Sequence, residues 1–259
     1  MNHDAPWRLP VDQALVDIEA KRIDGDLFLR SVMHHPSWLV PGQRGEDGSL
    51  SLGVLQTEKG RIIEVYTNRD ALLSMEQLHG NAFTGTILEL EGHALFMQLE
   101  QMEVDRVNLN PASEPKISYQ HGQIALLSAW AKQAQVELAL LEPERVHDPF
   151  SVLANYDNYH LVYDTHGKNA SIVLAPDPHG RALAAIFTSW DAADAFCKVM
   201  QEHAEDTLEA VRVPADQLFD IVQKLSVQGM VFNPWTLLPA RALHVDALTQ
   251  IMPRIGHAH

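Results

Sequence analysis

The chain has 259 residues, 46% of them hydrophobic, and it carries 34 acidic against 19 basic side chains, for a formal net charge of −15. This length suits two domains of ordinary size. Because the negative charge repels phosphate backbones and anionic lipid heads, we expect neither nucleic acid nor a membrane as a partner. No apolar run approaches the ~18 residues that a membrane span needs.

The redox chemistry and the beginning of the chain point to one compartment. Cys197 is the only cysteine, so no internal disulfide can form. Residues 1–10 combine acidic and aromatic side chains and lack the apolar segment of a secretory signal. We therefore expect a cytoplasmic protein.

The first half opens with helical patterns and continues with strands. Apolar residues recur at helical spacing in 14–18 and 27–33, after which 37–41 predicts a short strand that Pro41 stops. Residues 52–56 and 62–67 predict a hairpin, since they flank the polar turn 58–60.

A helix follows this hairpin directly, and its beginning carries a start signal. Thr67 is followed by Asp70, and Thr188 is followed by Asp191 at the same spacing. In this pattern the hydroxyl accepts a bond from a free backbone N–H and the carboxylate reaches back to the capping residue. We therefore predict helix caps at both threonines.

Each half also contains a strand that ends at Asn-Pro. Proline cannot donate to a strand ladder, and the residue before it favours extended geometry. We therefore predict that Asn110 and Asn233 close their strands in an extended conformation, each with its side chain bonded to the following backbone.

These landmarks recur in one order along the chain. Thr188 follows Thr67 by 121 positions, and Asn233 follows Asn110 by 123. We interpret the chain as two copies of one unit, in residues 1–140 and 141–259. The alternation of strands and helices predicts a mixed α+β fold in each unit, a mixed sheet packed with helices. A pseudo-twofold axis between the two units is a further packing hypothesis.

The same motifs resemble the N-terminal domain of the SseB family, the enhanced serine sensitivity proteins. The resemblance rests on the strand that leads into the threonine turn, on the helices that begin at 95–96 and 218–219, on the closing Asn-Pro, and on the Trp-Leu-Val-Pro segment 38–41. It covers roughly 11–135 and, less completely, 155–255. Family members usually carry a different C-terminal domain, whereas here the second half resembles the first. The resemblance implies a fold and no agreed catalytic activity.

The sequence contains no catalytic or metal-binding motif that rises above background. Neither a phosphate-binding glycine loop nor a Gly-x-Ser-x-Gly elbow is present. The fourteen histidines lack His-x-x-x-His spacing, and one cysteine cannot form a thiolate cluster. We therefore predict no catalytic residues, no metal and no cofactor.

The repeated turns are the candidate binding positions, because a strand-to-helix turn presents free N–H groups to a ligand. A purely structural role explains the same residues. Trp235 joins the candidates because tryptophan often dominates interface energies, although core packing explains it equally well. The candidate binding residues are Thr67, Asp70, Asn110, Thr188, Asp191, Asn233 and Trp235.

Two functions from different classes are compatible with this sequence. The first is a non-enzymatic, adaptor-like interaction or regulatory protein with a protein partner, present as a monomer or a homodimer. The alternative is a small-molecule sensor or an enzyme with a pocket between the two units, since pockets often form at domain interfaces. The absence of catalytic motifs favours the first hypothesis.

Overall fold

The computed structural model describes residues 7–79, 86–112, 116–165, 171–177, 179–201, 207–236 and 238–256. The chain divides into two compact units, one spanning Arg8–Ala134 and the other containing Gln135–His259. The predicted boundary at residue 140 stays a prediction.

In the first unit, two helices precede the strands, as the helical periodicity predicts. The second of them begins at an Asp24 cap whose carboxylate accepts a hydrogen bond from the Leu27 N–H at 2.8 Å. The elements of this part of the chain are α1 Val11–Glu19, α2 Gly25–Met33, β1 Trp38–Arg44, β2 Leu50–Leu52, β3 Leu55–Thr57, β4 Gly60–Val65, α3 Arg69–His79, β5 Thr86–Leu90, α4 Gly92–Glu100, β6 Arg106–Leu109, β7 Ile117–Gln120 and α5 His121–Leu141.

The strands of the first unit form two sheets that meet at one point. One sheet has the order β2-β1-β5 and is antiparallel, and the other has the order β3-β4-β6-β7. Within the second sheet β4 and β6 are parallel, whereas β3 and β7 pair antiparallel to their neighbours. An isolated antiparallel bridge between Leu39 and Tyr66 joins β1 to the end of β4. The pairing therefore runs β5-β1-β4-β6-β7.

Apolar residues cover both faces of this strand arrangement. The main core contains fully buried Trp38 and Phe96, whose rings meet edge to face, together with residues from α1, α2 and the first part of α5. A smaller cluster on the other face consists of Leu39, Tyr66 and residues of α3. Sheet strands buried on both faces explain why 62–66 reads as an almost continuous apolar run.

The second unit has its own elements and one sheet. Its first short helix begins at an Asp148 cap, and proline follows at the position where a helix needs no N–H donor. The elements are α6 Pro149–Ala154, β8 Tyr159–Asp164, β9 Ser171–Ile172, β10 Leu174–Pro176, β11 Ala182–Phe187, α7 Trp190–Gln201, β12 Leu208–Val213, α8 Ala215–Lys224, β13 Gly229–Phe232, β14 Arg241–His244 and α9 Leu248–Ile251, with 3-10 turns at Pro143–Arg145, Val245–Ala247 and Met252–Arg254.

The sheet of the second unit has the order β12-β8-β11-β13-β14, with β9 on β8 and β10 on β11. Here β11 and β13 are the parallel pair. One face packs on α6, α8 and α9 through residues such as Tyr159, Phe219 and Phe232. The other face is covered by α7, whose Phe196 packs on Phe187 of β11.

Each unit is therefore a mixed sheet packed with helices, which confirms the α+β prediction. The order β5-β1-β4-β6-β7 in the first unit matches β12-β8-β11-β13-β14 in the second, with a parallel pair at the same place. A tandem duplication would produce this correspondence. The duplication itself and the pseudo-twofold axis stay predictions.

The prediction that Pro41 stops the first strand is wrong, because β1 continues through Pro41 to Arg44. Pro41 pairs with Ile87 of β5, and its carbonyl accepts a hydrogen bond from the Gly53 N–H at 2.6 Å. Two residues earlier, the Leu39 N–H points to the side of β1 that faces away from β5, where it donates to the Tyr66 carbonyl. Pro41 lies between this bridge at Leu39 and the β2 pairing that begins at Gly42, so its missing donor interrupts neither.

Candidate functional site

In the first unit, Thr67 and Asn110 lie next to each other at the ends of two parallel strands. They follow β4 and β6, whose last residues, Val65 and Leu109, are in register. The Thr67 N–H donates to the Asn110 Oδ1 at 3.0 Å, and the Asn110 Nδ2 donates to the Thr67 Oγ1 at 3.0 Å. Both residues are buried. We call this reciprocal pair a Thr–Asn clasp.

The second unit repeats the clasp with Thr188 and Asn233. The Thr188 N–H donates to the Asn233 Oδ1 at 2.9 Å, and the Asn233 Nδ2 donates to the Thr188 Oγ1 at 3.1 Å. In both units the backbone N–H of the asparagine also donates to the strand before the threonine, to Val65 or to Ile186. The clasps are buried in both units, and their polar atoms satisfy each other; a ligand-binding role of these residues stays a prediction.

The prediction that the threonines cap the helices is wrong, because the next residue does so in each unit. The Asn68 Oδ1 accepts a hydrogen bond from the Ala71 N–H at 2.9 Å, and the Ser189 Oγ accepts one from the Ala192 N–H at 3.2 Å. The threonine hydroxyl is already bonded to asparagine, so the following polar side chain takes the capping position.

The acidic residues of the predicted start signal do not close a capping box. Asp70 and Asp191 lie exposed in the first turns of α3 and α7. Within the described part of the chain, neither carboxylate forms a side-chain hydrogen bond or an ion pair. Both remain favourable where they are, since a negative charge stabilises a helix N-terminus.

The predicted geometry of the Asn-Pro residues is also wrong. Asn110 has φ 46° and Asn233 has φ 50°, in the left-handed region rather than the extended one. Their side chains reach back to threonine, and the predicted bond to the backbone that follows stays a prediction. Asparagine tolerates this conformation better than most residues, and the clasp bonds hold it there. The prediction that the strands end at these positions is confirmed, since β6 and β13 end one residue before them.

Trp235 is half-exposed and rigidly held. Its ring stacks on Phe196 of α7, with ring centroids 5.6 Å apart and an interplanar angle of 5°, and 43% of the residue is exposed. Its φ is 54°, which is rare for a bulky side chain and costs backbone energy. This exposure does not fit the alternative that Trp235 is a core residue. Trp38, by contrast, is fully buried.

Trp190, the first residue of α7, is a second exposed aromatic residue that the sequence reasoning missed. It is 52% exposed, and its ring meets His160 of β8 edge to face at 5.8 Å between centroids. Trp190 contacts β8 and Trp235 follows β13, and these two strands lie on opposite sides of β11. We call these two tryptophans the aromatic surface.

The first unit has no such aromatic residues at the corresponding positions. Arg69 stands 121 residues before Trp190, and Ala112 stands 123 residues before Trp235. These are the spacings that separate the two clasps. The signal that could have identified Trp190 was therefore the difference between the two units, not the motif that they share.

Ionisable groups around the aromatic surface are mostly neutral or paired, apart from Asp191. Burial, assisted by the neighbouring Arg212, lowers the pKa of His160. On α7, Lys198 and Asp194 form an ion pair at 2.6 Å. Burial and the Asp194 carboxylate raise the pKa of the Cys197 thiol, which keeps it protonated and unreactive.

Neither a metal cluster nor a membrane-spanning helix is found among the described residues. Among them, no cluster of three or more His, Cys, Asp or Glu side chains could hold a metal ion. No helix formed by the same residues has the length and apolarity to cross a bilayer. The two terminal histidines, His257 and His259, lie outside the described residues.

Comparison with known proteins agrees with the resemblance inferred from the motifs. Residues 124–243 match the family model of the SseB protein N-terminal domain. The match covers most of the second unit, including its clasp and the aromatic surface. No curated protein matches the chain.

Two solved structures show a distant similarity. Anabaena Tic22, a protein-transport protein, is 10% identical, with 76% of this chain and 86% of that chain covered and a TM-score of 0.20. Tic22 from Plasmodium falciparum is 9% identical, with 87% of this chain and 96% of that chain covered and a TM-score of 0.21.

Proposed function

We propose that this chain is a non-enzymatic protein-interaction or regulatory protein whose partner binds the aromatic surface. The observation that carries the proposal is the half-exposed pair Trp190 and Trp235, at positions where the first unit has Arg69 and Ala112. Because both units keep the clasp, the clasp accounts for folding. The first unit has no tryptophan at these two positions, so fold requirements shared by the two units do not account for Trp190 and Trp235.

The physical properties of the two tryptophans suit a binding role. Large aromatic side chains contribute most to many protein interfaces, since they bury much area with few rotatable bonds. Trp235 is already fixed against Phe196, and Trp190 packs against His160. Binding therefore costs little additional side-chain entropy at either position.

The wider proposal has three further parts, each supported by the sequence. The two units arose by duplication, which the recurring strand order supports. The protein acts in the cytoplasm, which the single Cys197 supports. The acidic charge steers a basic protein partner towards the chain, with the protein itself a monomer or a homodimer.

Affinity capture with matched variants tests the interaction. Bait proteins are the unmodified chain, W190A/W235A, and the control L73A/L126A, which removes two exposed apolar side chains elsewhere. We expect a partner that the unmodified chain and the control retain at low salt and that W190A/W235A loses. Equal recovery by all three baits would refute the proposed surface. Melting curves of each bait show whether a loss of binding reflects unfolding, and W235A should leave the melting temperature nearly unchanged.

A further inference from the structure

Trp235 presents accessible indole surface to a planar ligand group. One face of the indole lies parallel to the Phe196 ring at 5.6 Å. The residue is 43% exposed, so indole surface beyond this stack is accessible to a ligand. A group that stacks on this surface would extend the existing Phe196–Trp235 stack.

The backbone around Trp235 holds this surface in place. The Asn233 side chain is fixed by the clasp, and the Thr236 hydroxyl donates to the Asn233 carbonyl at 3.0 Å. The Leu238 N–H donates in turn to the Thr236 Oγ1 at 3.2 Å. Trp235 thus sits in a closed turn with its left-handed φ already set, so the indole is a preorganised platform.

The indole face and the net charge of the chain favour a cation. The face of an indole carries negative electrostatic potential and attracts a cation within about 6 Å. On α7, Lys198 is paired with Asp194, and the exposed Asp191 lies with Arg212 on the His160 side. On β14, the exposed Arg241 stands opposite Phe232. The whole chain adds a net charge of −15.

From these observations we infer that the aromatic surface binds an arginine-bearing segment of the partner protein, with a guanidinium stacked on the accessible indole surface of Trp235. Arginine fits better than lysine because its planar, weakly hydrated group stacks on an aromatic face and keeps its charge. This inference rests on the proposed interaction function and specifies the chemistry of the partner.

Synthetic peptides test the inference without knowledge of the partner. The full chain is titrated with (Gly-Arg)4, (Gly-Lys)4, (Gly-citrulline)4 and octaproline, and the indole N–H signals are followed by NMR. We expect (Gly-Arg)4 to shift the Trp235 signal and to bind more tightly than (Gly-Lys)4. Citrulline keeps the planar shape but not the charge, so (Gly-citrulline)4 should bind most weakly of the three.

Variants separate stacking from general attraction between a basic peptide and an acidic protein. W235L should weaken (Gly-Arg)4 binding about 2- to 5-fold, the loss expected for an exposed cation–π contact. W235F should keep much of the affinity, and L126A, which leaves the charge unchanged, should keep all of it.

Three results would overturn the inference. The first is equal binding of the arginine and citrulline peptides, and the second is that neither W235L nor W235F changes the binding of the basic peptides. The third is preferential binding of octaproline, which would indicate docking of a proline-rich segment instead. Loss of partner capture by W190A/W235A together with any of these results would retain the proposed function and reject only the arginine. Arginine binding with unchanged capture would reject the proposed function.

Discussion

Replacing Asn233 by alanine tests whether the Thr–Asn clasp stabilises the fold, and its cost can be built up from two effects. The substitution leaves the buried Thr188 N–H without its 2.9 Å acceptor, which costs about 1–3 kcal/mol. It also places a Cβ-bearing residue without a compensating side-chain bond at φ 50°, which costs roughly 1–2 kcal/mol. We expect N233A to lower the free energy of unfolding by about 2–5 kcal/mol.

Asn233→Gly separates the two effects. Glycine removes the same hydrogen bonds but adopts positive φ without strain, so N233G should be about 1 kcal/mol more stable than N233A. Thr188→Val keeps the shape of the side chain and the backbone bond to Asn233, and it should cost less than N233A. Urea unfolding followed by tryptophan fluorescence measures all three variants. If N233A lies within 0.5 kcal/mol of the unmodified chain, or N233G is no more stable than N233A, the reasoning about the clasp is wrong.

Two further predictions concern the remaining aromatic environment. Because the pKa of His160 is lowered in the folded chain, the unfolded chain takes up a proton at this residue first as the pH falls; the contribution of His160 to stability is complete above pH 6.5 and declines below it. H160L, which introduces the residue found at position 39, should reduce the loss of unfolding free energy between pH 7.5 and 5. An unchanged dependence of the unfolding free energy on pH would contradict this prediction. Trp38→Ala should destabilise by about 3–5 kcal/mol in the same urea assay, because the ring is fully buried and its Nε1 donates to the Val32 carbonyl at 3.1 Å; a loss below 1 kcal/mol would show that the core around it collapses freely.

The local periodicity of the sequence was sufficient to predict the fold class. The hairpin that turns before Gly60 and the helices after Thr67 and Thr188 follow from patterns only a few residues long. Such patterns determine whether a segment is a strand or a helix, because side chains alternate with period 2 or 3.6. They do not identify which strand lies beside which. The proline pattern therefore predicts a strand end at Pro41, although its missing N–H faces away from β5.

The clasp could not be predicted from either of its halves. Thr67 and Asn110 are 43 residues apart, and each has a satisfactory local explanation, as a helix cap and as a strand end before proline. Only the parallel pairing of β4 with β6 brings their side chains together. The sequence did contain an indirect signal, since threonine and asparagine both recur at nearly the same offset in the second half. Recurrence was interpreted as evidence for copying, and its second meaning, that the two residues contact each other, was missed.

The distinction between structural and functional residues follows from comparing positions within one chain. Where two units keep the same residue in the same contact, folding alone explains it, as with Thr67–Asn110 and Thr188–Asn233. Exposed Trp190 replaces a position that is arginine in the first unit, and burial of apolar area cannot explain that choice.

This comparison also explains why the second unit can carry strain at Trp235. The clasp fixes the end of β13 two residues before Trp235, and the Thr236 hydroxyl fixes the turn one residue after it. Energy stored in a left-handed tryptophan persists only where the surrounding bonds outweigh it. N233A should therefore weaken both the fold and the orientation of the indole, whereas W235L should affect binding with little change in the unfolding free energy. An N233G variant that remained folded but bound the arginine peptide less well would show that the clasp positions the platform as well as stabilising the strand ends.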